Sequence, residues 1–309
     1  MRVFVAGATG AIGTQLVPRL AAAGHEVHGM TRSESKQAML SDLGAVPVVA
    51  DALDRDQVAG AVARARPDVI VHQLTSLGEP DLRHFDRTFA LTNRLRTEGT
   101  DYLLSAGQAV GVRKFVAQSV VFAYERTGSA VKTEEDPLDP SPVREMRTMV
   151  DAVRHLEEAV LGADWTEGVV LRYGAFYGPG TSMAPGEEQL ELIRKRKFPI
   201  VGDGGAVWSF IHTGDGADAT VAAVEHGGRG VYNIVDDEPA PVAEWLPEVA
   251  QQLGAKKPMR VPRFVARLFA GEAGAVLMTE ARGASNAKAK RELGWLPKHA
   301  SWRQGLTAA

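Results

Sequence analysis

The sequence predicts an α/β chain: a doubly wound parallel sheet followed by a smaller C-terminal lobe. Three observations carry this. Short, valine-rich apolar runs alternate with helix-length segments through the first half of the 309 residues. Such continuous runs belong in strands covered on both faces, not in half-exposed ones. A glycine-rich turn joins the first run to the first helical segment. After Tyr173 the alternation gives way to loops marked by Gly178-Pro179-Gly180, Pro185-Gly186 and Gly202-Asp203-Gly204-Gly205.

In chain order, Val3–Ala6 is the first expected strand, and Ile12–Ala23 the helix that the glycine turn opens. Glu26–Met30, Val46–Ala50, Val69–Leu74 and Lys114–Ser119 read as further strands, each bounded by Gly, Asp or Pro. Between them lie helical patterns at Glu34–Asp42, Arg55–Ala65 and a long one from about Asp81 to Val110. Arg144–Leu161 is a helix leading into the strand Gly168–Tyr173, and Thr127–Pro142 reads as a surface loop beside the site. Beyond Tyr173, strands are expected at Trp208–His212 and Gly230–Val235, and helices at Ala217–Glu225 and Val242–Leu253. This divides the chain into a nucleotide-binding domain, 1–173, and a substrate-binding lobe, 174–309, interwoven with the sheet.

The charge balance narrows the function. With 35 basic and 38 acidic side chains, the chain lacks the excess of cations that holding nucleic acid or an anionic membrane requires. It has no cysteine, so disulfides, thiolate metal sites and cysteine nucleophiles are excluded. No secretory leader and no apolar run of about 18 residues is visible, so a cytoplasmic protein is expected. No His/Asp/Glu spacing suggests a metal.

The strongest motif is Gly7-Ala8-Thr9-Gly10-Ala11-Ile12-Gly13. It follows a strand and opens a helix, where glycines let the backbone approach a pyrophosphate and the helix N-terminus supplies free N–H groups. On this motif the chain resembles the extended and atypical short-chain dehydrogenase/reductase superfamily. Asp51, the run from Leu171 to Gly180, Phe210-Ile211-His212-Thr213-Gly214-Asp215 and Arg291-Glu292-Leu293-Gly294-Trp295 carry the likeness over nearly the whole chain. The resemblance implies a Rossmann-like fold and a nicotinamide cofactor. It implies a cofactor lining of Gly7, Thr9, Gly10, Ala11, Ile12 and Gly13 from the loop. Asp51 and Ala52, Leu74 and Thr75, and Ser119, Tyr173 and Gly174 would follow from later strand ends.

Relatives that prefer NAD end the second strand with an acid. Here that strand ends in Thr31-Arg32-Ser33. Arg32 can grip a 2′-phosphate with charge-assisted hydrogen bonds, and Ser33 and Lys36 can add a donor and a second cation. NADPH is therefore the expected cofactor.

The same resemblance implies a Ser or Thr after the fifth strand and Tyr-x-x-x-Lys on the following helix, the tyrosine acting as acid or base. These positions fall on Val120, Met149 and Val153 when Tyr124 and Glu157 serve as landmarks. A slip of one residue gives Val150 and Arg154 instead. The segment 144–161 contains no Tyr and no Lys, so the loss does not depend on register. Ser119 is then an auxiliary donor candidate. His212, Tyr124, Tyr173 and His72 are weaker ones.

The resemblance places Phe122, Met149, Tyr173, Phe176 and Met183 near the nicotinamide. Trp208 stands where sugar-nucleotide enzymes of the group carry a basic residue, and His212 follows nearby. Together they predict a small hydrophobic aromatic substrate. The chain resembles the tyrosine-free ketoreductases of aromatic polyketide pathways, of angucyclinone (simocyclinone) type. That implies a ketoreductase whose substrate supplies the proton. A non-catalytic NADP(H) sensor, and an isomerase or dehydratase that keeps its cofactor, are the alternatives. Monomer and dimer are both open, because the helices that pair in relatives carry many charges here, among them Arg94, Arg96, Glu98, Arg144 and Arg147.

Overall fold

A computed structural model describes residues 1–76 and 84–307. The chain builds one central sheet of seven parallel strands: β1 (Arg2–Ala6), β2 (Glu26–Thr31), β3 (Ala45–Val49), β4 (Val69–His72), β5 (Lys114–Val120), β6 (Glu167–Tyr173) and β7 (Gly230–Ile234). Their spatial order is β7-β6-β5-β4-β1-β2-β3. The order reverses between β1 and β4, which opens a crevice at their C-terminal ends. The inner strands β1, β4, β5 and β6 are buried on both faces, as the continuous apolar runs demand, while the edge strand β3 is partly exposed; all four residues of β4 are buried.

Helices cover both faces. On one side lie α1 (Ala11–Ala22) and, from the C-terminal half, a helix at Thr213–His226, which pack on each other. On the other, Arg55–Ala65, Thr100–Val110 and Arg147–Gly162 pack together. The helix at Arg55 starts cleanly because the Asp54 carboxylate accepts from the Asp56 and Gln57 amides, each at 3.1 Å. The helix at Arg147 buries Met149, Val150, Val153, Leu156, Glu157 and Val160, a stripe of helical period.

The long helix expected from about Asp81 is not uniform. Its expected start lies outside the described residues. From Phe85 it runs to Arg94, widens into a π-helical turn at Leu95–Gly99, and resumes as Thr100–Val110. Such a turn has no pattern that a 3.6-residue period can reveal. The segment 127–142 also carries more order than a loop, since Val131–Lys132 pairs with Gly283–Ala284.

The sheet takes its seventh strand from beyond residue 173, so the C-terminal half contributes to both layers. The rest of that half forms a second core around Trp208, Phe210, Trp245 and Trp302. Short strand pairs tie it together: Ala175–Tyr177 with Phe210–His212, and Val207–Trp208 with Ala240–Pro241. A helix at Arg263–Thr279, kinked at Gly271, borders it. Among the described residues no helix is long and apolar enough to cross a membrane.

Candidate active site

One cleft of about 1410 Å³ runs from the crevice at the sheet's C-terminal edge into the second core. Its outer arm is lined by Gly7, Thr9, Gly10, Ala11 and Ile12, by Arg32 and Ser33, and by Asp51, Ala52, Leu74 and Thr75. The local backbone explains this arm. Gly7 has φ of +93°, and a Cβ there would sit 2.6 Å from the Gln73 carbonyl oxygen. Gly13 lies behind the loop: its Cβ would sit 2.3 Å from the Gly7 oxygen, so only glycine lets α1 close on the turn. Gly13 thus shapes the arm without lining it. Gly10 is the N-cap of α1, with no side-chain cap and no acid in the first turn. The free amides of that helix end face the groove, and the site fits an anionic dinucleotide.

At the end of β2, Arg32 is exposed and Lys36 lies beside it on the same groove wall. The end of β2 itself offers Thr31, Arg32 and Ser33 and no carboxylate. Arg32→Ala is expected to weaken NADPH binding by about tenfold or more, the size of a lost hydrogen bond to a charged group, and to leave NADH within about twofold. Titration of the two cofactors by fluorescence checks this. Equal losses for both would remove Arg32 from the 2′-phosphate.

The inner arm is lined by Val120, Phe122, Met149, Phe176, Met183 and Trp208, with Gly174 at the junction. Trp208 is held rigidly. Its indole N–H donates to the Leu277 carbonyl at 2.8 Å, and its ring meets Phe122 edge-on at 5.2 Å and Trp245 at 5.2 Å. The result is a flat aromatic wall.

Several predicted residues are placed elsewhere. Ser119 is 1% exposed and does not line the cleft. Its hydroxyl donates to Glu157 Oε1 at 2.6 Å. Side chains alternate along β5, so Val120 faces the cleft and Ser119 faces the helix behind it. Tyr173 is fully buried, bonded to Thr220 at 2.6 Å and to Gln73 at 3.2 Å, and burial pushes its phenol up to about 12. Val153 is fully buried and does not reach the cleft. His212 caps the helix at Thr213 by accepting from the Gly214 amide at 3.1 Å, and stacks on His299 at 3.9 Å. His212, Asp215 and His299 come close enough to share an ion, a grouping hidden by 84 residues of separation. Asp215 already accepts from the Lys298 and His299 amides, so the cluster also pins that turn. Tyr124 donates to Asn233 at 2.8 Å behind the sheet edge. Among the described residues, no Tyr, His or Glu lines the cleft.

Two cleft residues that the sequence did not mark as lining a site carry a buried polar atom without a partner: Gln73 at Oε1 and Arg96 at Nη1. A charged side chain on a helix reads as solvated, and nothing local marks Arg96 as buried; in the structure it is 4% exposed.

Comparison with known proteins agrees with this architecture. The chain is 44% identical to a 3-diazoavenalumate denitrifying reductase of a Streptomyces species, over 99% of each chain. It is 26% identical to a 4-hydroxy-2-methyl-3-oxo-4-farnesyl-3,4-dihydroquinoline-1-oxide ketoreductase of Stigmatella aurantiaca, covering 100% of this chain and 95% of that one. Among solved structures, UDP-glucose 4-epimerase of Thermotoga maritima superposes with a TM-score of 0.79 at 21% identity, covering 99% and 96% of the two chains. The human epimerase family protein SDR39U1 with NADPH superposes with a TM-score of 0.76 at 24% identity, covering 99% and 98%. These two share the fold. The family and the names of the two relatives indicate an oxidoreductase that uses a nicotinamide cofactor. Residues 3–235 match the family throughout, and the chain belongs to the NAD dependent epimerase/dehydratase family.

Proposed function

We propose that this chain is an NADPH-dependent reductase that directs hydride onto a small aromatic acceptor and contributes no proton of its own. The observation that carries the reading is the inner arm. It joins a dinucleotide groove to an aromatic wall, and its triad positions are Val120 and Met149, with Val153 behind them. None of these side chains can move a proton. An acceptor that needs no proton from these positions fits the arm.

A ring carbon bearing a diazo group is such an acceptor, and the 44% identical relative is named for one. NADPH held by the outer arm would supply a hydride; on the acceptor its pair would form the C–H bond while the C–N bond breaks and dinitrogen leaves with that bond's pair. The protein's part is to bind, to orient and to exclude water. Trp208 and Phe122 hold the ring plane, Phe176 and Met183 close the chamber, and the apolar lining keeps competing nucleophiles away. A second reading keeps the same site and changes the acceptor to a ketone with a neighbouring phenolic hydroxyl, which passes its proton to the new alkoxide. The ketoreductase relative favours it. When the ring carries a hydroxyl beside the reacting carbon, ionised in the diazo compound, both reactions leave a phenolate on the ring.

The test supplies NADPH deuterated at C4 with an ortho-hydroxyaryl diazo compound, and separately with an ortho-hydroxyaryl ketone. Dinitrogen release with deuterium at the ring carbon supports the first acceptor. Deuterated alcohol supports the second, which O-methylation of the substrate's hydroxyl then abolishes. Cofactor binding with no oxidation in either arm overturns the reductase and leaves a sensor.

A further inference from the structure

Among the described residues, Arg96 is a buried cation with no ion-pair partner in contact with it. It is 4% exposed, it lines the cleft, and its Nη1 has no hydrogen-bond partner. Among the described residues no carboxylate pairs with it. Among the described residues the carboxylate that acts on it is Glu157, at longer range, and both of its oxygens are already engaged elsewhere. Glu157 Oε1 accepts from Ser119 Oγ at 2.6 Å and Arg172 Nε at 2.8 Å, and Oε2 accepts from Arg172 Nη2 at 2.5 Å. His72, close by, brings no negative charge; burial draws its imidazole down to about 4, so it is neutral near pH 7. Two guanidinium groups thus share one carboxylate, and the surplus charge belongs to the group facing the cleft.

A buried charge without a partner is costly, and proteins keep one where something else supplies the partner. Burial lowers Arg96 only to about 10, so it stays charged at neutral pH. The π-helical turn that carries it packs against the helix bearing Met149 and Val153, and Val120, Met149 and Arg96 line the same cleft. The unpaired cation and the positions expected for the usual acid thus line one cleft, on two elements that pack together.

We propose that Arg96 binds the oxyanion of an aryl substrate, the phenolate oxygen that hydride delivery leaves on the ring. This rests on the reductase reading and names the substrate class: aryl compounds carrying an ionisable ring hydroxyl beside the reacting carbon. Arg96 is the electrostatic stabiliser of the site in place of an acid. A fixed guanidinium can hold a developing oxyanion without transferring a proton.

The test uses para-nitrophenol, whose phenol and phenolate differ in colour, against the full chain loaded with NADP. The wild type should bind the phenolate at least about tenfold more tightly than para-nitroanisole, and bound nitrophenol should stay ionised below its free pKa. Arg96→Met should erase both effects and hold NADPH within about twofold of wild type. Arg96→Lys should keep part of the discrimination. Because Arg96→Met removes an unpaired buried charge, it should also raise the Tm of the free protein, whereas loss of a merely structural arginine would lower it. Wild type that binds anisole and phenolate equally overturns the assignment even if the Met variant fails to fold. So does an Arg96→Met variant that still selects the phenolate. If phenolate selection is present but no acceptor is ever reduced, the oxyanion site stands and the reductase reading falls.

Discussion

Glu157→Ala is expected to cost about 3–5 kcal/mol of stability and to lower Tm by about 5–10 °C. Among the described residues, Glu157 is the sole carboxylate of a buried cluster with Arg172, Ser119 and, at longer range, Arg96. Arg172 and Glu157 are each 5% exposed, and the pair is bidentate. Alanine leaves two guanidinium groups buried with no anion between them. Arg172→Met removes one cation and leaves Glu157 with Arg96, so the cluster becomes neutral. The arginine variant should therefore lose distinctly less than the glutamate variant. Adding Arg96→Met to Glu157→Ala should recover part of the loss. Urea titration of the four proteins at neutral pH reads this directly. Equal losses for Glu157→Ala and Arg172→Met would mean that Arg96 contributes no charge to the cluster, and the oxyanion site would lose its electrostatic basis.

That cluster also marks where sequence reading reaches its limit. The sheet and the phosphate loop are local: valine-rich runs and three glycines within seven residues define them, and Gly7 and Gly13 each have a steric reason visible in the fold. That the segment 144–161 holds no tyrosine and no lysine is equally local, because a residue type missing from a whole segment needs no register. The partners of Ser119, Tyr173 and His212 were not readable. Each makes its decisive contact with a residue at least 38 positions away: Glu157, Thr220 and His299. In the sequence Arg96 is one charge among several on a helix that pairs in relatives, charges that leave monomer and dimer both open. Its burial follows from the π-helical turn and from packing against the helix at Arg147–Gly162, neither of which leaves a pattern in the local sequence. Function concentrates in such non-local contacts, because a site must converge from several strand ends.

Gly13→Ala is expected to lower NADPH affinity by about a hundredfold or more, about 2.8 kcal/mol, and to destabilise the protein as well. The new Cβ would lie 2.3 Å from the Gly7 oxygen, 2.5 Å from the Ala8 carbonyl carbon and 2.6 Å from the Ala8 oxygen. All three are backbone atoms, so no side chain can rotate out of the way. Helix α1 must instead move away from the loop, and the amides of its first turn move with it. Gly10→Ala separates the two consequences. Gly10 has φ of −82°, and its Cβ would meet only the Gly7 oxygen, at 3.4 Å, so the fold accepts a methyl group there. Yet Gly10 lines the cleft at the helix N-terminus, where a methyl group would occupy the space of a bound pyrophosphate. Gly10→Ala should keep its Tm within about 2 °C of wild type, the scale of an ordinary surface substitution, while losing most of its NADPH affinity. Gly13→Ala should lose both. Thermal melts paired with NADPH titration decide it. If Gly10→Ala binds NADPH as wild type does, the pyrophosphate does not sit on this helix end, and the outer arm of the cleft needs a different ligand.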